Sequence, residues 1–263
     1  MITLTTEDLR LLIYPDGQPH VRLDVAGLGD SVRLMLPIRT PQELFVALAA
    51  RNALRHTKQV ELCVRYLMGG RSDREQVAGH SVDLEVVAQM LNTCEFSRVV
   101  IFDPHSPNTQ RLIRRSVAVE PQYLVSKYSG PAAVLIVPDT GALRRLPITA
   151  SWNRSFSEYV TCDKHRNPLT GKIELTVNNP DWCESRECVI VDDICDGGGT
   201  FLQIAEQIHP SKLTLIVSHA IFSKGLNPFV GKIDHIITSD SWKDWGNTSL
   251  LTTYPLGDNW YEM

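Results

Sequence analysis

Residues 188–200 read CVIVDDICDGGGT: an apolar β-branched run, three aspartates, three glycines and a threonine. The run predicts a buried strand. Leu202, Ala205 and Ile208 keep helical spacing after it, so the polar residues sit between a strand and a helix. Gly197, Gly198 and Gly199 permit close backbone approach, Thr200 can cap the helix, and the exposed amides there favour an anion. Asp192 and Asp193 come earlier, at the strand end, where adjacent carboxylates suit vicinal hydroxyls or a divalent metal; Asp196 adds a third acid. A sugar phosphate meets both demands, with hydroxyls on the acids and phosphate on the glycines. A plain tight turn would account for the glycines but not for three acids in one place. No lysine follows the glycines as in a Walker loop, and there is no GxGxxG.

The same phrase, an apolar run followed by a charged loop, recurs along the chain. Residues 59–66 lead into GGRSDR (69–74), 98–102 into DPHSP (103–107), and 132–137 into PDTG (138–141). Residues 212–218 and 235–238 read as further buried strands, and 41–54 and 81–91 as helices. Strands alternating with helices predict parallel sheets covered on both faces, with ligands beyond the strands' carboxyl ends. The expected class is therefore α/β, with each domain a mostly parallel sheet flanked by helices. At 263 residues two modest domains are expected, and the weakly patterned stretch 116–130 places them at 1–122 and 123–263.

Composition narrows the chemistry. A net charge of −4 carries no basic surplus of the kind nucleic-acid binding uses, so no nucleic-acid partner is expected. The apolar runs are too short to span a bilayer and the N-terminus does not read as a signal peptide, so a cytoplasmic protein without membrane partners is expected. The six cysteines form no CxxC and read as reduced and structural, although Cys162 and Cys195 lie beside candidate site loops.

The motifs carry a resemblance. VIVDDICDGGGT resembles the ribose-phosphate loop of the type I phosphoribosyltransferase fold. FDPHSPNTQ (102–110) resembles the strand-end Asp-Leu-His motif of the ribose-phosphate pyrophosphokinases, and residues 65–74 are similar to their ATP-gripping segment. PDTGA (138–142) resembles their Pro-Asp-x-Gly-Gly turn, YPDGQ (14–18) an adenine-contacting turn, and DKHRNP (163–168) their flexible Lys-x-Arg catalytic loop. The order of these motifs along the chain follows the family's.

The resemblance implies two tandem phosphoribosyltransferase-like domains, the first on the ATP-binding side. It implies pyrophosphoryl transfer from ATP to the 1-hydroxyl of ribose 5-phosphate, or of a 5-substituted ribose phosphate, with release of AMP. Lys164 and Arg166 would be catalytic. Tyr14, Asp16, Gln18, Arg71, Ser72, Asp73 and His105 would bind ATP. Asp192, Asp193, Asp196, Gly197, Gly198, Gly199 and Thr200 would bind the ribose phosphate. Mg2+ is the implied cofactor, with His105 and Asp139 on the metal, and a homo-oligomer with a shared nucleotide site is the implied assembly. On their own terms, Pro-Asp-Gly is good β-turn chemistry, and Arg71 and Asp73 could be a simple surface ion pair.

The chain also departs from the family. Gln18 and Ser72 replace a glutamate and a glutamine. Relatives usually carry Asp-Thr-Ala-Gly-Thr where this chain has Asp196-Gly-Gly-Gly-Thr200. Loss of the threonine hydroxyl removes a phosphate donor, and loss of two side chains is expected to open space beyond the phosphate. That keeps ADP-ribose open as the acceptor, giving ADP-ribose pyrophosphate for NAD synthesis or salvage. A phosphoribosyltransferase shares the acidic loop but does not need His105, Arg71 or the basic segment. A catalytically dead regulatory subunit would show damaged motifs, whereas Lys164, Arg166, His105 and the aspartate pair are all present.

Overall fold

The computed structural model describes residues 1–128, 133–139, 141–142, 156–166 and 173–262. They form two compact units, Met1–Glu120 with Asn259–Met263, and Pro121–Asp258. Residues Asn259–Met263, placed with the second domain by the sequence expectation, thus pack with the first unit.

The first unit is built on a five-stranded parallel sheet in the order β1-β4-β5-β6-β7: β1 (Ile2–Thr5), β4 (Ser31–Met35), β5 (Gln59–Val64), β6 (Arg98–Phe102) and β7 (Ser116–Val119). Helix α1 (Pro41–Ala53) starts where sequence chemistry says it should, with Pro41 in its first turn and the Thr40 hydroxyl accepting from the Glu43 amide. Its Leu44, Ala47 and Ala50 join Leu84, Val87, Ala88 and Leu91 of helix α2 (Asp83–Thr93) in one core with Val60, Leu62 and Val99 of the sheet. The short helix α3 (Asn108–Leu112) follows β6. A separate antiparallel hairpin, β2 (Arg10–Ile13) with β3 (Pro19–Arg22), carries residues 14–18 at its tip.

Chain ends complete this unit. Trp260 is 1% exposed and meets Phe102 edge-on at 6.0 Å, and the Arg33 guanidinium lies 3.8 Å over the Tyr261 ring. The last residues therefore support the end of β6, the strand that leads directly to His105.

The second unit has seven strands in the order β10-β9-β8-β11-β12-β13-β14. They are β8 (Ala133–Val137), β9 (Phe156–Arg166), β10 (Ile173–Val177), β11 (Glu187–Cys195), β12 (Lys212–Ala220), β13 (His235–Ser239) and β14 (Leu251–Tyr254). All neighbours run parallel except β9 and β10. Strand β8 is buried throughout and β12 buried beyond its first residue, as expected of a sheet shielded on both sides. Helix α4 (Gln122–Val125) precedes β8, and α5 (Gly199–Ala205) follows the acidic strand.

Two sequence expectations change here. Residues 163–166, expected as a loop, finish strand β9, where Asp163, Lys164 and His165 pair with Thr176, Leu175 and Glu174 of β10. Val160 and Cys162 are buried while Tyr159 and Asp163 are exposed, so this is a half-buried hairpin whose polar alternation imitates a loop. Strand β11 also runs four residues past Val191, because Asp192, Ile194 and Cys195 stay paired with β12. Among the described residues, no helix is long and apolar enough to cross a membrane.

Replacing Trp260 with alanine removes the plug under Phe102 and should cost about 3–5 kcal/mol. Urea unfolding checks this; Trp260→Phe, which keeps an edge-on ring, should lose far less.

Candidate functional site

In the first unit the candidate nucleotide residues fall into two groups. Tyr14, Asp16 and Gln18 form the exposed tip of the β2–β3 hairpin. The Tyr14 amide donates to the Gln18 carbonyl at 2.9 Å and the Gln18 amide to Asp16 Oδ1 at 3.0 Å, the turn that Pro-Asp-Gly chemistry predicts.

The other group joins two strand-end loops, 69–74 and 103–108. Gly69 has φ +86, and an added Cβ there would meet the Asp83 backbone at 3.2 Å; at Gly70 it would meet the His105 Cβ at 3.2 Å. These glycines let the loops touch. Asp103, buried at the end of β6, takes φ +38, a left-handed backbone that aspartate tolerates better than most, and turns the chain toward Pro104 and His105.

Within this pair of loops, Asp73 and Ser72 act first as ties. The Asp73 carboxylate accepts from Arg74 at 2.8 Å, from the Ser106 hydroxyl at 2.5 Å and from the Asn108 side-chain Nδ2 at 3.3 Å. The Ser72 hydroxyl donates to the Ser81 carbonyl at 2.8 Å. Asp73 thus bonds its neighbour Arg74 and the 103–108 loop. Arg71 is exposed and His105 half-buried.

In the second unit β8, β9, β11 and β12 are parallel, so their carboxyl ends share one edge. Asp139 follows β8 there. Its Oδ1 accepts from the Ala142 amide at 2.7 Å, and its Oδ2 from Lys164 Nζ at 3.1 Å. Thr140, Asn167, Pro168 and the Arg166 side chain lie outside the described residues. On β11, Asp193 is 3% exposed and Asp192 half-buried, with Asp192 Oδ1 accepting from the Asp193 amide at 3.0 Å. Asp196, Gly197, Gly199 and Thr200 are at least partly open to solvent.

The glycines do not leave the space expected of them. Gly198 has φ +80, and a Cβ there would lie 2.4 Å from the Phe229 ring, so the ring already fills that place. At Gly197 it would meet the Lys224 side chain at 3.3 Å. Only Gly199 faces open space. Lys224 and Phe229 belong to later loops that carry no motif, and sequence reading passed over both.

Both cysteines beside the site are buried. Burial pushes the Cys162 thiol up to about 12, with Cys183, Asp139 and Asp163 adding negative charge. Burial, then Asp192 and Asp196, push Cys195 up as well. Among the described residues no group of three or more His, Cys, Asp or Glu side chains is placed to hold a metal by itself. Magnesium carried on phosphates needs only one or two protein carboxylates, which Asp139 and Asp192 can offer.

Known proteins were compared with this arrangement. The chain is 30% identical over 198 residues to a ribose-phosphate pyrophosphokinase of Mycoplasmopsis pulmonis, covering 70% of this chain and 60% of that protein's length. It is 28% identical over 223 residues to the ribose-phosphate pyrophosphokinase of Thermococcus kodakarensis, covering 81% and 77%. The fold superposes on the crystal structure of phosphoribosylpyrophosphate synthetase from Mycobacterium smegmatis with a TM-score of 0.81, across 97% of this chain and 88% of that one, at 17% identity. Over most of its length the chain is similar to ribose-phosphate pyrophosphokinases, and it spans 60% of the Mycoplasmopsis pulmonis protein. No family model matches it. That similarity fits the order of the strand-end motifs, while Lys224 and the Phe229 contact stand outside those motifs.

Asp73 gives a pH test of the loop pair. Burial raises its carboxyl pKa, but hydrogen bonds from Arg74 and Ser106 and the charges of Arg74 and His105 outweigh that and hold it below the ordinary range. A depressed folded-state value means the contribution is complete above the unfolded value of about 3.9 and is lost as pH falls through the lower folded one. Asp73→Asn should therefore show a shallower loss of stability below about pH 4 than the wild type, read from urea midpoints. Identical acid limbs would remove the tie.

Proposed function

We propose that the chain is a pyrophosphokinase that transfers the pyrophosphoryl group of ATP to the anomeric 1-hydroxyl of ribose 5-phosphate, with AMP as the leaving group. The observation that carries this reading is the Lys164–Asp139 contact at 3.1 Å on the sheet edge that also bears Asp192 and Asp193. The acid pair and glycine turn are common to ribose-phosphate sites generally. A lysine brought to the same edge adds mobile positive charge, which phosphoryl-type transfer uses and a simple ribose site does not need.

The chemistry asks for positioning more than for covalent help. The 1-hydroxyl oxygen forms a bond to the β-phosphorus, the bond from that phosphorus to the α–β bridging oxygen breaks, and the hydroxyl proton is lost. Asp192 and Asp193 orient the ribose hydroxyls. The amides of residues 197–200 and Thr200 receive the 5-phosphate. Lys164 exchanges its Asp139 partner for the oxygens of the transferring group, and Arg166 acts beside it. Arg71 and His105 take the nucleotide, in loops that Asp73 and Ser72 hold in shape. Asp139 would hold magnesium on the ribose side, where the ion would neutralise phosphate charge.

ADP-ribose is the second candidate acceptor. The two positions where relatives carry side chains, 197 and 198, are filled by Lys224 and Phe229, so the space expected for it at those positions is taken. Release of AMP from ATP and magnesium, with each acceptor in turn and mass spectrometry of the product, separates the two. No AMP with either would overturn the reading. Lys164→Ala should lower kcat at least ~10²-fold while changing ATP affinity little; wild-type turnover would clear Lys164 of a catalytic role.

The hairpin supports self-association. Leu11, Leu12 and Ile13 are 44%, 42% and 49% exposed on a strand that buries none of its four residues. Pairing with another copy would cover them and carry Tyr14, Asp16 and Gln18 to a neighbour's nucleotide. Sedimentation should show the wild type as an oligomer and Leu12→Asp as a smaller species; a monomeric wild type would end this reading.

A further inference from the structure

The glycine loop has a cationic neighbour that its motif does not name. Lys224 lies beyond the end of β12, and its aliphatic stem runs along Gly197. A Cβ at residue 197 would meet Cε, Cδ and Cγ at 3.3, 3.4 and 3.6 Å. A side chain there would push the stem away, so glycine at 197 is what makes room for it.

The segment carrying Lys224 is fastened to the acidic strand end at several points. The Ile221 and Phe222 amides both donate to the Cys195 carbonyl, at 2.8 and 3.1 Å. Phe222 takes φ +46, and the Gly225 amide closes the turn on the Phe222 carbonyl at 2.8 Å. Phe229 then seats its ring on Gly198. Lys224 is exposed, and among the described residues it has no hydrogen bond or ion pair. A stem held by contact, with a free ammonium one bond further on, restricts where the charge can go without neutralising it.

We propose that Lys224 is a specificity-determining residue of the acceptor site, its ammonium binding the phosphate on the acceptor's 5-position. This rests on the reading of residues 196–200 as the acceptor's phosphate side. A phosphate monoester and the proximal group of a diphosphate present the same chemistry to it. At 197, loss of a side-chain hydroxyl donor is thereby answered by a full positive charge delivered from another loop.

The test compares wild type with Lys224→Ala, Lys224→Gln and Lys224→Arg in the AMP-release assay, using ribose 5-phosphate and ADP-ribose as acceptors. Both neutral variants should raise the KM of the acceptor that works by about tenfold or more. The KM for ATP should stay within about twofold, and arginine should restore most of the loss. Wild-type KM in the neutral variants overturns the proposal while leaving the activity standing. Calorimetric titration with ribose 5-phosphate and inorganic phosphate, without ATP, covers failure of the activity itself. If no AMP forms but phosphate binding weakens in Lys224→Ala, the functional reading falls and the role of Lys224 holds. Equal phosphate binding in wild type and variant, or none in either, sinks the role. Circular dichroism confirms that each variant is folded.

Discussion

The ring of Phe229 occupies the place where a side chain at residue 198 would begin, and the acidic end of β11 is built around that contact. Phe229 is fully buried and meets Phe222 edge-on at 5.7 Å, and Phe222 in turn meets Trp245 at 5.3 Å. Through Phe229 this edge-on aromatic cluster reaches the glycine turn at Gly198. Protein interiors are packed closely enough that such a contact leaves little freedom. The three glycines, read from sequence as room for a ligand, are mostly room for the protein itself.

Each unit also shows how opposite demands on charge are met. In the second, acids collect on a strand end while Lys164 reaches Asp139 on the same edge. In the first, Asp73 gathers donors from Arg74, Ser106 and Asn108 and binds one strand-end loop to the next. In both units a carboxylate is already satisfied by neighbours before any substrate arrives. In the first unit those bonds set the shape of the two loops before anything binds, and such positioning is what phosphoryl chemistry draws on.

Local chemistry made much of this legible in the sequence. Strand β6 was readable to its ends because four apolar residues after Arg98 stop at an acid, and α1 because threonine and proline mark its start. The acidic motif was readable because charge interrupts a greasy run. What escaped reading depended on partners far along the chain. Alternating polar residues at 163–166 look like a basic loop until β10 supplies the pairing. Nothing near Gly197 points to Lys224, and nothing near Phe102 points to Trp260. Asp73 was read as a ligand-facing acid, yet its bonds to Ser106 and Asn108 exist only once two strands stand side by side.

The burial of Trp260 against Phe102 bears on how the chain reaches this form. Synthesis delivers the strands of the first unit long before the residue that seals the end of β6, and the whole second unit emerges in between. The first unit is thus discontinuous in sequence, and its packing is completed last. During that interval Phe102 lacks its cover, and the loop bearing His105 lacks the support beneath it. The end of β6 is therefore finished only after the second unit has been made, an order that the linear arrangement of the strands would have reversed.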